Sequence, residues 1–146
     1  MSKKTDERGR TALFWALERF KSANDVVNVL LKEGASLGHK DIDGRTPLYA
    51  AVDRKDCEII SLLLQSGAEI NICDAKGETP LSNAVQDRSA AVTRDSAKEM
   101  VSLLLDGGAD ITHQNSDGLS IRTIALRSCG ADMVNYLRAR SLGSRT

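Results

Sequence analysis

Residues 63–68 read Leu-Leu-Gln-Ser-Gly-Ala, and two other stretches of this 146-residue chain, 30–35 and 104–109, end an apolar run in nearly the same way. Gly34 and Gly67 are 33 positions apart, and Gly67 and Gly108 are 41 positions apart. The chain therefore contains an internal repeat of about 33 residues, with one interval that is eight residues longer. A period of this length is typical of a structure in which one supersecondary unit stacks on the next.

A second phrase lies at a fixed distance before each ending. It reads Gly-x-Thr-x-Leu at 9–13, 44–48 and 77–81, and it recurs in altered form at 118–122. An Asp or Asn stands three residues before each of these glycines, as a type I turn prefers. A tight finger and then a short helix are predicted, with Pro47 and Pro80 at the first helical position. The hydroxyls expected to cap these helices belong to Thr11, Thr46, Thr79 and Ser120.

Apolar residues then recur at helical spacing in two groups per repeat. The inward residues predicted for the first helices are Leu13, Ala16 and Leu17; Leu48, Ala51 and Val52; Leu81, Ala84 and Val85; and Ala125 and Leu126. The second helices share an apolar formula at 26–31, 59–64, 100–105 and 133–137. The glycine that follows in the first three repeats stands where a helix commonly ends. One helix pair cannot bury such a face alone, so the repeats are expected to stack.

These phrases resemble the repeat of the ankyrin family, Gly-x-Thr-Pro-Leu-x-x-Ala followed by Ile-Val-x-x-Leu-Leu-x-x-Gly-Ala-Asp-x-Asn. Repeat two matches with Asp41, Gly44, Thr46, Pro47, Leu48, Ala51, Ile59, Ile60, Leu63, Leu64, Gly67, Ala68 and Asn71. The resemblance implies an all-α fold: a solenoid of stacked helix-turn-helix units with β-turn fingers, in a single domain over 1–146. Its repeats span about 6–40, 41–73, 74–114 and 115–140. In the last, Arg122 and Arg138 replace apolar residues, as in a C-terminal capping repeat.

The third repeat is longer because of eight extra residues near 88–95, between its two predicted helices. Residues 96–99 read Ser-Ala-Lys-Glu, a capping box that predicts where the second helix restarts. The insertion is therefore expected to form a projecting loop or an extension of the first helix. Surface loops of this kind are tolerated and often carry partner specificity, so a neutral and a functional interpretation both stay open.

Composition limits the class and compartment of the protein. Hydrophobic residues make up 41% of the chain, without an apolar stretch of membrane length or secretory type, so no membrane association is expected. The three cysteines, Cys57, Cys73 and Cys129, have neither an even count nor a C-x-x-C spacing. Reduced thiols in a cytoplasmic or nuclear protein are the favoured interpretation.

The net charge is zero, but it is unevenly distributed. Residues 1–40 carry 8 basic and 5 acidic groups, 41–117 carry 7 and 14, and 118–146 carry 5 and 1. An acidic middle favours a protein partner with a basic segment and disfavours nucleic acid along the central groove. The same charges also fit a solvated mixed-charge surface.

The sequence contains no recognisable catalytic or cofactor motif, whether a Ser/His/Asp or Cys/His arrangement, a phosphate-binding glycine loop or paired catalytic carboxylates. His39 and His113 lie two repeats apart, too far to share a metal ion, and are expected to be surface or hydrogen-bonding groups. We therefore predict no enzyme activity, no cofactor and no metal site.

One group of residues, near the start of the chain, is typical of a ligand site. Aromatic and basic residues alternate there: Phe14, Trp15 and Phe20 with Arg8, Arg10 and Arg19. Such a group can hold a phosphorylated or nucleotide-like compound near Arg8, Arg10, Phe14 and Trp15, which would make the chain a small-ligand sensor. Packing at the end of the stack explains the same aromatics.

The family resemblance implies a non-enzymatic module, expected to be monomeric, that binds a partner protein on the groove formed by fingers and first helices. An adaptor, an inhibitor, a targeting domain and a fragment of a larger protein all fit. The family's variable positions correspond to Glu7, Arg8 and Arg10; Glu18 and Arg19; Lys40, Ile42, Asp43 and Arg45; Asp53 and Arg54; Cys73, Ala75, Lys76 and Glu78; Gln86 and Asp87; Gln114, Ser116, Asp117 and Leu119; and Arg127 and Ser128.

Overall fold

The computed structural model describes residues 4–20, 22–86 and 94–143 of the chain. Within these ranges the chain forms eight α-helices, which we number in chain order. They are α1 (Ala12–Arg19), α2 (Asn24–Lys32), α3 (Pro47–Arg54), α4 (Cys57–Gln65), α5 (Pro80–Val85), α6 (Arg94–Asp106), α7 (Ile121–Ser128) and α8 (Ala131–Gly143). One isolated bridge, between Gln114 and Ser120, is the only β-type pairing in this part of the chain.

The helices pack as four consecutive pairs that stack on one another. Each first helix contacts its own second helix, α1 with α2, α3 with α4, α5 with α6 and α7 with α8. The first helices also form a row in which α1, α3, α5 and α7 touch in turn, and α2, α4 and α6 form a second row. The all-α stack of helix pairs predicted from the sequence is confirmed.

A finger precedes each pair, and the Asp or Asn at its start holds the turn closed. In the second finger Asp41 Oδ1 accepts the backbone N–H of Asp43 and of Arg45, both at 2.9 Å. The N–H of Gly44 donates to the Asp41 carbonyl at 3.0 Å, as in the predicted type I turn. Asp6, Asp74 and Asn115 make the same set of bonds in the other three fingers.

Neighbouring fingers are joined by one backbone hydrogen bond each. The donor is the backbone N–H of the first residue after the Asp or Asn of one finger. The acceptor is a carbonyl of the preceding finger, that of the second residue after its Asp. The bonds run from Ile42 to Arg8 at 2.8 Å, from Ala75 to Asp43 at 2.9 Å and from Ser116 to Lys76 at 3.2 Å. The fingers therefore stack in the same register as the helices behind them.

The four helix starts do not cap in the same way. Thr79 accepts the N–H of Ser82 at 3.2 Å, and Ser120 accepts the N–H of Thr123 at 3.3 Å, as predicted. The prediction is wrong for Thr11 and Thr46, whose hydroxyls are buried without a hydrogen-bond partner among the described residues. The difference depends on the residue three positions after the N-cap, which carries a hydroxyl in α5 (Ser82) and α7 (Thr123).

In α1 and α3 that third helical position carries Phe14 or Tyr49, both of them buried. An aromatic ring there cannot return a bond to the N-cap N–H in the way that Ser82 Oγ accepts the N–H of Thr79 at 2.7 Å. The first two repeats therefore gain a buried aromatic side chain and lose the cap.

Two matched substitutions test this difference in capping. We expect Thr79→Val to lower the free energy of unfolding by about 1–2 kcal/mol, because it removes the hydroxyl that accepts the N–H of Ser82, one of the two bonds of the capping box. Thr46→Val should change it by less than about 0.5 kcal/mol or raise it, because an unpaired buried hydroxyl is replaced by a methyl group of similar shape. Urea titrations of the two variants, followed by far-UV circular dichroism, measure both changes. Equal losses in the two variants would contradict the assignment of the caps.

The core lies between successive helix pairs. Leu63 and its equivalent Leu104 are fully buried, as are Leu13, Leu17 and Leu137. The predicted inward positions of the first helices are confirmed except for Leu126, which is 57% exposed. Leu126 occupies the position of Val52 and Val85, and in those repeats the next helix pair covers it.

The second helix of the third repeat begins earlier than predicted. Helix α6 starts at Arg94, so Ser96 lies inside its first turn and the predicted capping box at Ser96 is wrong. The last two residues of the expected insertion, Arg94 and Asp95, belong to this helix. The remaining residues of the insertion up to Thr93 lie outside the described ranges.

Candidate partner-binding groove

The predicted contact residues at the finger tips are all exposed. Each tip consists of the two residues after the Asp or Asn, whose oxygen binds backbone N–H groups further along the turn. The tips are Glu7 and Arg8, Ile42 and Asp43, Ala75 and Lys76, and Ser116 and Asp117. None of their side chains makes a hydrogen bond or ion pair with another residue in the described ranges. These side chains are consequently available to a partner.

In the first three fingers the residue at the base contacts the residue eight positions later, near the end of the first helix. Arg10 is paired with Glu18, Arg45 Nη1 lies 3.5 Å from Asp53 Oδ2, and Gln86 donates its amide to the Glu78 carboxylate. The sequence prediction included all six residues but not their pairing. The constant spacing of eight, repeated in three units, was the signal that could have shown it.

Two amides that the sequence prediction missed join adjacent repeats across the groove. Asn83 Nδ2 donates to Asp53 Oδ1 at 2.6 Å, and Asn115 Nδ2 donates to Glu78 Oε1 at 3.1 Å. Glu78 is only 9% exposed, and its carboxylate accepts hydrogen bonds from the amides of Gln86 and Asn115 instead of from solvent. The floor of the groove is thus a hydrogen-bonded network, whereas the tips are free.

Arg54 also has a role within the fold. Its guanidinium donates to the carbonyl of Leu17 and, at 2.6 Å, to that of Phe20. These carbonyls lie at the end of α1, where a helix leaves its last acceptors unsatisfied and a positive charge is favourable. A partner would have to displace Arg54 from α1 to bind its guanidinium.

Tyr49 lies beneath the base of the second finger, with the Arg45 guanidinium 5.4 Å from the centre of its ring. Burial raises the pKa of the Tyr49 phenol, and the neighbouring Asp74 carboxylate raises that pKa further. The phenol therefore stays protonated. It supports the finger from below, which the sequence analysis did not predict.

The aromatic group near the start of the chain separates into buried and exposed parts. Phe14 is 1% exposed, whereas Trp15 is half-buried and has the guanidinium of Arg10 at 4.8 Å and that of Arg19 at 4.7 Å from its ring centre. Arg10 Nη2 also lies 2.7 Å from Asp6 Oδ2. The hydrogen bond from Arg10 lowers the pKa of the Asp6 carboxyl below its ordinary value. An anionic ligand would have to replace two carboxylates at Arg10, which supports packing rather than ligand binding.

Each of the two histidines binds a backbone carbonyl in the finger of its own repeat. His39 Nε2 lies 2.7 Å from the carbonyl oxygen of Gly9, and His113 Nε2 lies 2.7 Å from that of Gly77. A carbonyl oxygen only accepts, so Nε2 carries the proton in both rings. The prediction of hydrogen-bonding groups is confirmed. Among the described residues no group of three or more His, Cys, Asp or Glu side chains could hold a metal ion.

The three cysteines are not joined in disulfides, and all three are half-buried. Cys73 Sγ lies 3.6 Å from His113 Nε2. Burial raises the pKa of the Cys57 thiol. Cys57 begins α4 and Cys129 follows α7, so they lie at helix ends.

The remaining predicted contact residues differ in their contacts and exposure. Lys40 Nζ donates to the carbonyl of Cys73 at 3.3 Å and so bridges two fingers. Gln114, Arg127 and Arg19 are exposed, Leu119 and Ser128 are half-buried, and Asp87 lies outside the described ranges. The contact set as a whole stays a prediction.

Comparison with known proteins gives the same assignment as the geometry. A family model described as ankyrin repeats in three copies matches residues 19–115 and again residues 54–144. A comparison with curated proteins found no match. No helix of the described ranges is both long and apolar enough to cross a bilayer. The stacked helix pairs, the bonded fingers and a family match over most of the sequence show that the chain belongs to the ankyrin-repeat family.

Proposed function

We propose that this chain is a non-enzymatic interaction module of the cytoplasm or nucleus that binds a partner protein on the groove of fingers and first helices. Ankyrin repeats generally mediate protein–protein interaction, and an adaptor, an inhibitor and a targeting domain all use such a surface in the same way. The division of the groove into a bonded floor and free tips supports the proposal. Because the side chains of the floor bind one another, we assign the main partner contacts to the finger tips.

The exposure of the Ile42 side chain is the observation that carries this proposal. It is 69% exposed at the tip of the second finger, and no other large hydrophobic side chain of the described residues is as exposed. Ile42 uses its backbone N–H to bind Arg8, so the fold needs the position but not the side chain. An apolar side chain held in water on a fixed turn is suited to burial against a partner.

The charges around the groove support a partner with a basic segment. Asp43, Asp53 and Asp117 are exposed along it, and residues 41–117 carry twice as many acidic as basic groups, 14 against 7. Arg10 and Arg45, at the base of the fingers, are paired with acidic side chains. Complementary charge raises the rate of association and selects the partner.

The test uses the complete chain as an affinity bait in three forms. They are the unmodified chain, the tip variant Ile42→Asp with Asp43→Lys, and the control Glu69→Lys, an exposed position just after α4 and outside the fingers. We expect at least one protein, identified by mass spectrometry, to bind the first and third forms and to be lost from the second. Calorimetry with that purified protein should show an increase in Kd of about tenfold or more for the tip variant. Equal binding by all three forms would contradict groove binding.

A further inference from the structure

The first helix pair exposes an apolar surface at the end of the stack, which we call the repeat-one end face. Trp15, Phe20, Val26 and Leu30 line it, and Val29 adjoins Val26 three residues further along α2. Phe20 is 51%, Val26 37% and Val29 59% exposed. Between α1 and α2 this surface forms an open groove of about 520 Å³. Three of the exposed large hydrophobic side chains of the described residues therefore lie on one surface.

Equivalent positions in the other repeats show what normally covers this face. Val26 corresponds to Ile59 and Met100, which are 0% and 1% exposed and lie in helix pairs that stack on a preceding pair. Leu30 corresponds to Leu63 and Leu104, both fully buried. The repeat-one end face thus has the residues of an internal stacking surface.

The opposite end of the stack has a different chemistry. Arg122 and Arg138 are exposed there beside Leu126, at positions where repeat two has the buried Leu48 and the half-buried Leu64. Stacking two chains head to tail would place these arginines on the apolar end face and remove their charge from water. Pairing two repeat-one end faces instead buries apolar surface on both sides.

Charged side chains of both signs surround the end face: Lys4, Asp6 and Arg10 line its groove, and Arg19 and Asp25 lie beside its aromatic and apolar residues. Arg19 lies over Trp15, with its guanidinium 4.7 Å from the ring centre, and Asp25 precedes Val26 in the first turn of α2. Both are exposed, and neither forms an ion pair with another described residue. A contact about a two-fold axis brings the same patch together twice, so a patch with both signs can complement itself.

We propose that two copies of this chain associate through their repeat-one end faces about a two-fold axis, with Arg19 of each copy near Asp25 of the other. The face is a single helix pair wide, so the interface belongs to the small class that forms weak dimers. It is separate from the finger tips, and a dimer leaves both grooves open to partners.

Sedimentation velocity of the complete chain, over roughly 1–300 μM, the range in which a weak interface dissociates, is the first test. We expect the average mass to rise from one chain to two. Val29→Asp should increase the dimer Kd by about tenfold or more, because the charge enters the interface twice. The matched control is Leu126→Asp, at a site that is 57% exposed on the other end of the stack. It should leave the Kd unchanged.

Charge exchange tests the two-fold arrangement itself. Arg19→Glu and Asp25→Lys should each weaken the dimer, and the double variant should restore it. Thermal unfolding of each variant, followed by circular dichroism, establishes that the fold is retained. A monomer at every concentration, as expected from the sequence, would overturn the proposal. Assemblies larger than two chains, loss of association in Leu126→Asp, or a double variant as weak as the single ones would also overturn it.

Discussion

Replacing Leu63 by alanine is expected to lower the free energy of unfolding by about 2–5 kcal/mol. Leu63 is fully buried in α4 and belongs to the apolar cluster that runs through the stack. The substitution removes buried methyl groups and leaves a cavity between helix pairs. The closely packed side chains around the cavity relax into it only in part. Because a domain of this size has only about 5–15 kcal/mol of stability, the loss is a large fraction of the total. Urea unfolding followed by far-UV circular dichroism measures it.

Leu126→Ala is the matched control because it makes the same chemical change at a site that is 57% exposed. We expect it to change the free energy of unfolding by less than about 0.5 kcal/mol. A loss below that value for Leu63→Ala would contradict the register of α4. Comparable losses in the two variants would mean that the stack buries Leu126 in solution.

The backbone architecture follows from short-range signals in the sequence. An Asp or Asn followed three residues later by Gly closes each finger, and the apolar spacing of 59–64 produces the buried face of α4. Each of these signals lies within a few residues of the structure that it specifies. They recur in phase through the chain, which is why the fold could be predicted without any coordinates.

The side-chain contacts of the groove depend on atoms from two repeats at once. Arg54 reaches back to the carbonyl of Leu17, and Asn115 reaches Glu78 in the preceding finger. Residues that distant in sequence meet only after the repeats have stacked, so spacing within one repeat cannot show the contact. Arg54 and Glu78 were therefore predicted as contacts for a partner protein, although each of them binds a residue of a neighbouring repeat.

Gly44→Ala is expected to destabilise the protein by about 3 kcal/mol or more, which combines the cost of a left-handed alanine with that of a steric clash. Gly44 has a φ of +76°, and a Cβ added there would lie 2.9 Å from the amide nitrogen of Ala75. That amide donates the finger-to-finger bond to Asp43 at 2.9 Å. The atom that must move is therefore backbone and already part of the stacking bond, so the second and third fingers have to separate.

Gly67→Ala isolates the conformational part of this cost. Gly67 follows α4 with a φ of +93°, but a Cβ added there would have no neighbouring atom within 4 Å. We expect a loss of about 1–2 kcal/mol, the cost of placing an alanine in the left-handed region. Urea unfolding of both variants gives the difference, which measures the contact between fingers. If the two losses are equal, the close approach of Gly44 to Ala75 is relieved at no cost, and the fingers contribute to the shape of the groove but not to the stability of the stack.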